Sequence, residues 1–290
     1  MSNRAKHRGG RRHHPNVSLA SVARDQALSL APDSPVLAMF KQAAIQLNDR
    51  QDRHERLVKL SRDITIESKR IIFLLHSAIT KESIEKTVQE AKERLNKLVK
   101  GPLKHIGLEL EKCPAYLHLR AVTAGFQEYV EAWTLCSLME TKQIISYREV
   151  QEELQYIIMT PVEGQDDPKH RTVTTLLPQN EYMLGISDLT GELMRRAINS
   201  ISSGDSEECV FSGQVVRDLY TGFLGLFGIC KELARKMGTT RSNVLKVESA
   251  VYALRVRGGE APATLLLPPP QPHDWEQTNH SDDEGFYGIN

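Results

Sequence analysis

A chain of 290 residues, 40% hydrophobic and 26% charged, is globular in composition and long enough for one large core or two small ones. Its 37 Lys and Arg balance 37 Asp and Glu, so overall charge argues neither for nor against a polyanionic partner and leaves the question to how charge is distributed. Four widely spaced cysteines, with no CxxC pair and no His at zinc-ligand spacing, exclude a disulfide scaffold and a Cys-rich zinc site and are read as reduced and structural. No apolar run approaches the roughly 20 residues of a membrane span, and no hydrophobic signal core follows the basic start, so a soluble, intracellular protein is expected.

Residues 1–33 carry Arg4, Lys6, Arg8, Arg11 and Arg12 with three histidines, then a Ser/Ala-rich stretch ending in APDSP. They lack the apolar density to fold alone, and a disordered basic arm is expected. It reads as a nuclear import signal, a loose RNA-contacting tail, or a solvated arm with no address. Ser34 suits an N-cap and Pro35 the first helical position; neither Gly nor Pro follows until beyond Ala78, which predicts one long helix. Val36, Phe40, Ala43, Leu47, Leu57, Leu60, Ile64, Ile71 and Leu75 fall on drifting i,i+3/i+4 positions of a bundle helix. Its second half sets Lys59, Arg62, Lys69 and Arg70 among acids. That is a salt-bridged solvated face or, weakly, a set of phosphate contacts in which Lys59 and Arg62 take part.

Lys81 to Lys100 is a second amphipathic helix, expected to break at Gly101-Pro102. From Pro114 to about Glu140, Leu119, Val122, Phe126, Tyr129, Val130, Trp133 and Cys136 make a wide apolar face. The other side keeps only Arg120, Thr123, Gln127, Glu131 and Thr134, with Glu128 at its edge. Such a weakly polar stripe suits the wall of a shared cavity or a solvated face. Ser146 with Glu149 forms a capping box for a shorter helix to about Met159, and residues 160–180 read as a long loop in which TVTTLL is the only β-prone stretch. Asn180 then caps a helix whose core side is Tyr182, Ile186, Leu189, Leu193 and Ala197, with Asp188, Glu192, Arg195 and Asn199 opposite. Another helix is expected from Glu207 to Met237, with Gly222, Gly225 and Gly228 explained by close helix packing, and a last one from Thr239 to Arg257. Residues 259–290, Pro-rich and then acidic, read as a disordered tail. The expected architecture is all-α, a single elongated bundle of about seven helices with a long first helix.

Two helices carry the candidate chemistry. Asp188 and Glu192 are i,i+4 and share a face, and Glu128 and Glu131 have i,i+3 spacing in another apolar run, so two helices offer four carboxylates to one cation. Helical bundles build metal sites from inward acids on facing helices. An all-oxygen set without His or Cys suits Mg²⁺ or Mn²⁺ and argues against zinc. Such an ion binds phosphate oxygens, lowers the pKa of bound water and stabilises in-line displacement at phosphorus. Against this, ExxE and DxxxE arise by chance on solvated helices, and Glu192 has Arg195 and Arg196 within pairing distance. No G-x-S-x-G is present, and His54, His76, His105 and His118 read as ordinary surface or core residues.

Four separated blocks, HERLVKLSRDITIESKRIIFLLH (54–76), GFQEYVEA (125–132), SDLTGELMRRAINS (187–200) and KVESAVYALRVRGGEAP (246–262), resemble the translin family. The DLTGELMR run points to its translin-associated factor X branch rather than to translin itself, and the likeness covers about Pro35 to Pro262. It implies a translin-like helical domain over 34–258 and heteromeric assembly with translin into a hollow, octamer-like shell. The implied activity is Mg²⁺-dependent endoribonuclease cleavage of single-stranded RNA, associated with RNA silencing and removal of passenger-strand fragments, in cytoplasm and nucleus. By the same resemblance this chain supplies the active site, with Glu128, Glu131 and Asp188 as cation ligands and Glu192 as a ligand or water-orienting base. Substrate phosphates would be held by the partner together with residues such as Arg195 or Arg196. The 160–180 loop, the Pro-rich tail and details of the basic arm depart from the family. The alternative is a non-catalytic helical scaffold or nucleic-acid-binding partner subunit of translin.

Overall fold

The computed structural model describes residues 34–257 apart from 79, 80, 112, 161–168 and 227; the expected arm at 1–33 and tail at 259–290 lie outside these. The chain divides into two compact units, the second beginning at Glu55. Of the first, the described part is Ser34 and the opening half of helix α1 (Pro35–Ser77). Ser34 caps it as expected, its Oγ accepting from Leu37 N at 3.4 Å, and Val36, Met39, Phe40, Ile45 and Leu47 are exposed.

The second unit begins with the remainder of α1 and adds α2 (Lys81–Leu98), α3 (Lys104–Leu110), α4 (Leu119–Thr141), α5 (Tyr147–Glu153), β1 (Gln155–Thr160), β2 (Lys169–Thr174), α6 (Gln179–Ser202), α7 (Ser206–Leu224) and α8 (Lys231–Arg257). The all-α expectation holds, with one local exception.

That exception is an antiparallel hairpin. The helix after Ser146 keeps its capping box but stops at Glu153, because QYIIMT carries β-branched, alternating residues. Tyr156 pairs with Val173 and both are buried, while Ile157 and Met159 point out, the period of two that a half-buried strand shows. At Gly101-Pro102 the expected break is a kink. One π turn (Val99–Leu103) leaves helical geometry at Gly101, then α3 continues, since Val99, Leu103 and Ile106 are buried and Thr175 Oγ1 donates to Leu103 O at 2.8 Å. Helix α6 begins one residue before Asn180, after Pro178 and without a side-chain cap.

The break between the last two helices also moves. Instead of Met237–Thr239 it lies after Leu224, so α8 starts at Lys231. Gly222, Gly225 and Gly228 do not serve close packing. Gly225 ends α7 and Gly228 adopts φ +90° in the turn, a conformation costly for residues with a Cβ.

Helix α6 packs against α4, α7 and α8. Its tightest approach is at Gly185, where an added Cβ would stand 2.8 Å from both Gln127 O and Val130 Cβ on α4. On the far side of α4, Gly125 N donates to the buried Ser61 Oγ of α1 at 3.1 Å. Phe126, Tyr129 and Leu135 are buried with Leu57, Ile64 and Ile71 of α1 and Leu189 of α6. These contacts fix which residues of α1, α4 and α6 face one another.

Two glycines of α6 are predicted to respond with opposite sign in urea unfolding of the full chain. Gly185→Ala forces backbone apart and should lose roughly 1–3 kcal/mol, the usual cost of overpacking. Gly191→Ala meets only Asn243 Nδ2 at 3.7 Å and should gain about 0.5–1 kcal/mol from helix propensity. Equal effects at the two positions would contradict the tight α4–α6 contact.

Candidate active site

Helices α1, α4, α6 and α8 enclose a cavity of about 770 Å³ lined by Glu128, Glu131, Asp188 and Glu192 together with Lys69, Phe73, His76, Arg195 and Lys236. All four acids read from the sequence therefore face one space. A hydrogen bond between Ser187 Oγ and Thr240 Oγ1 (3.2 Å) and one from Asn243 Nδ2 to Thr190 Oγ1 (3.1 Å) join α6 to α8 beside it.

Each acid but one has a basic partner. Lys69 Nζ lies 3.1 Å from Glu128 Oε1. Lys236 Nζ donates to Asp188 Oδ2 at 2.6 Å and also to Gln127 Oε1 (3.1 Å) and Leu184 O (3.4 Å), while Gln127 Nε2 donates to Glu181 at 2.6 Å. Glu192 is held twice, by His76 Nε2 and by Arg195, each at 2.7 Å. Among the described residues the Glu131 side chain has no hydrogen-bond or ion-pair partner, although it is only 8% exposed. Glu128 Oε2 is buried and likewise without a hydrogen-bond partner.

The electrostatics follow from this. Burial, reinforced by the charges of Asp188, Glu192 and Glu128, pushes the Glu131 carboxyl up to about 9. Burial also raises Glu128, with Lys69 opposing. Burial works against ionised Glu192 too, but the hydrogen bond from His76 and the charge of Arg195 outweigh it and hold the carboxyl below the usual range. Crowded carboxylates of which one must stay protonated are a recurrent arrangement where a charge is to be bound or a proton moved.

The donor chemistry fits a hard divalent cation: all four acids offer oxygen, Glu131 has no direct partner and feels only the charge of Lys236 in its favour, and Glu128 has an unused buried oxygen. The side chains are not gathered as a ligand set, however. Among the described residues no three His, Cys, Asp or Glu groups converge as ligands, because Glu128 and Asp188 engage Lys69 and Lys236, whose ammonium groups stand where positive charge is needed. Binding an ion here would require those lysines to yield.

Of the basic residues expected beside the acids, Arg195 is at the cavity, its side chain 65% exposed. Arg196 is not. It is buried on another face of α6, with Nε donating to Glu208 at 2.5 Å, so its guanidinium is committed to the α6–α7 contact and unavailable to a phosphate in the cavity. Lys59 and Arg62 are exposed on α1 and do not line the cavity. The reading of His76 as an ordinary residue misses its contact with Glu192, and no sequence feature marks Lys236 as the partner of Asp188. The Lys69, Phe73, His76 spacing of i,i+4,i+7 was the available signal that three side chains of α1 share one face.

A model of the translin family matches residues 52–258. Translin-associated protein X of Mus musculus is 37% identical over 268 residues, covering 89% of this chain and 91% of that protein. The Translin-associated protein X homolog of Schizosaccharomyces pombe is 26% identical, covering 73% and 84%, and translin of Homo sapiens 24%, covering 72% and 87%. Among solved structures, apo-NeC3PO is similar with TM-score 0.56 at 19% identity, covering 77% of this chain and 98% of that one. AfC3PO in complex with duplex RNA has TM-score 0.54 at 18% identity, covering 77% and 100%. At such identities the structural likeness is one of fold.

The Glu131 environment gives a pH-dependent prediction for the metal-free protein. Below the ordinary carboxyl value of 4.5 both folded and unfolded chains hold the proton; between there and about 9 only the folded one does, so this group removes stability as pH rises through that window. In EDTA, Glu131→Gln should leave Tm unchanged near pH 4.5 and raise it by about 2–4 °C or more at pH 8. A difference that stays flat across the window would show that Glu131 ionises normally.

Proposed function

Because the chain belongs to the translin family, we propose that it is a partner subunit of translin that holds the active site of a divalent-cation-dependent endoribonuclease acting on single-stranded RNA. In this reading it is the catalytic subunit of an RNA-silencing nuclease that removes passenger-strand fragments. The name of its relatives, Translin-associated protein X, supports the partnership, and a fold neighbour in complex with duplex RNA supports RNA as ligand class. The observation that carries the reading is the convergence of four carboxylates from α4 and α6 on one cavity, with buried Glu131 only partly compensated by the charge of Lys236.

Glu128, Glu131 and Asp188 would hold Mg²⁺ or Mn²⁺, which when bound supplies charge neutralisation at a phosphate and acidifies water. Glu192, kept ionised by His76 and Arg195, is suited to accept a hydrogen bond from the attacking water and fix its direction, more than to strip it of a proton unaided. Arg195, exposed at the same cavity, is placed to neutralise a substrate phosphate. Lys69 and Lys236 balance the acids when no ion is bound.

The paired acids favour a second reading, in which the cluster is an ion-pair network of a non-catalytic scaffold. The two separate in the full chain co-expressed with translin, assayed on a labelled single-stranded RNA. Cleavage should need Mg²⁺ or Mn²⁺, stop in EDTA, and fall by about 100-fold or more in Glu128→Ala, Glu131→Ala and Asp188→Ala complexes that still assemble, at or beyond the upper end of the loss seen when a residue supporting a metal ligand is changed. Mg²⁺ should raise the Tm of the wild-type complex and not that of Glu131→Ala. Undiminished cleavage by assembled variants would move the chemistry elsewhere and leave this chain as scaffold.

A further inference from the structure

On the outer side of α1, next to the acidic cavity, lies a groove of about 440 Å³ lined by Lys69, Arg70, Phe73, Leu74, Ser77 and Arg94. Two of these residues, Lys69 and Phe73, also line the acidic cavity, so the two hollows adjoin across these side chains. Phe73 is 78% exposed, although its neighbours Ile71, Ile72 and Leu75 are buried. A single exposed aromatic is ordinary on a protein surface. This one stands between a hollow lined by carboxylates and a groove whose lining contains three cations and no acid.

The cations differ in how free they are. Arg94 is committed, with Nε 2.7 Å from Glu67 and Nη1 3.6 Å from Glu90. Arg70, its side chain 68% exposed, has only a 3.5 Å contact with the same Glu67. Lys69, 63% exposed, reaches Glu128 across the shared wall. A flexible polyanion carrying aromatic bases matches this surface, because bases stack on exposed rings irrespective of sequence while cations alongside track the phosphates.

We propose that the Phe73 groove is a nucleotide subsite, in which the ring of Phe73 stacks on one base of a single-stranded RNA and Lys69 and Arg70 hold the adjoining phosphate. The subsite delivers the strand to the acidic cavity, and in that respect it rests on the nuclease reading above. Phe73 is a positioning residue, since it touches the strand beside the reacting phosphate.

The test uses the full chain in complex with translin, in EDTA so that nothing is cut, and fluorescence anisotropy of a labelled single-stranded RNA. Phe73→Ala and Phe73→Leu should each weaken binding by about 5- to 150-fold, the range found when a base-stacking aromatic is removed, and Phe73→Trp should restore it. Arg70→Gln should lower the salt dependence of binding by about 0.7 in the log–log slope, one phosphate contact on a single strand. Equal affinity for all Phe73 variants in intact complexes overturns the subsite. So does loss of assembly in Phe73→Ala that Phe73→Leu repairs, which would make Phe73 a contact with a neighbouring subunit. With Mg²⁺ added, absence of cleavage by the wild type would overturn the nuclease reading alone, since the binding readout does not depend on it.

Discussion

The site depends on how closely α6 lies against α4. With no Cβ at Gly185, α6 comes down onto the Gln127 carbonyl and Val130, and this contact sits one turn before Asp188 and beside Glu128. Helical spacing alone puts Asp188 with Glu192, and Glu128 with Glu131, on single faces. It is the glycine contact that turns the two faces to one cavity. The 61–125 hydrogen bond sets α1 against the other side of α4, and Lys69 and His76 then reach the same space from a third helix.

The charge in that space is nearly but not fully matched. Three permanent cations, Lys69, Arg195 and Lys236, face four carboxylates, with His76 as the remaining basic group. The shortfall does not spread evenly. Glu192 has two donors and stays ionised; Glu131, buried among other negative charges, has no donor and binds its proton far above the ordinary range. Burial of an unpaired carboxylate is costly enough that proton uptake is the cheaper outcome. A bound cation is the other way to relieve it, and the same cavity then favours whatever brings positive charge.

Much of this was legible in the sequence, for reasons that can be named. Periodicity located the apolar faces of α1, α4 and α6 because those helices are long and one-sided, and the acids on α4 and α6 stood out against runs poor in other charge. Tertiary context overrode local signals elsewhere. Gly101-Pro102 reads as a stop, yet buried neighbours and Thr175 carry the helix through it as a kink. The hairpin at 155–174 was hidden because Ile157 and Ile158 follow a well-formed capping box and a short apolar run fits either helix or strand. Arg195 and Arg196 are equivalent on paper, but adjacent helical residues point about 100° apart, which puts one at the cavity and the other against Glu208 on α7. His76 and Lys236 are separated by more than a hundred residues, and only folding brings them to the acids. The family resemblance, carried by four blocks, names the four acids that line the cavity and neither His76 nor Lys236.

The cluster differs from a fully paired ion-pair network in its remainder, Glu131. A network selected only to stabilise a bundle has no use for a fourth buried carboxylate that must hold its proton; Gln or Leu on α4 would leave the three existing pairs intact and remove the penalty. Glu131 opposes the stability that the α4–α6 contact provides, and a residue that works against the fold in this way is what the proposed nuclease site requires and a purely structural network does not. Lys69 and Lys236 make the compromise tolerable in the unbound chain. Both are long, partly exposed side chains, so both are able to withdraw from the acids without disturbing the backbone that holds the four carboxylates together.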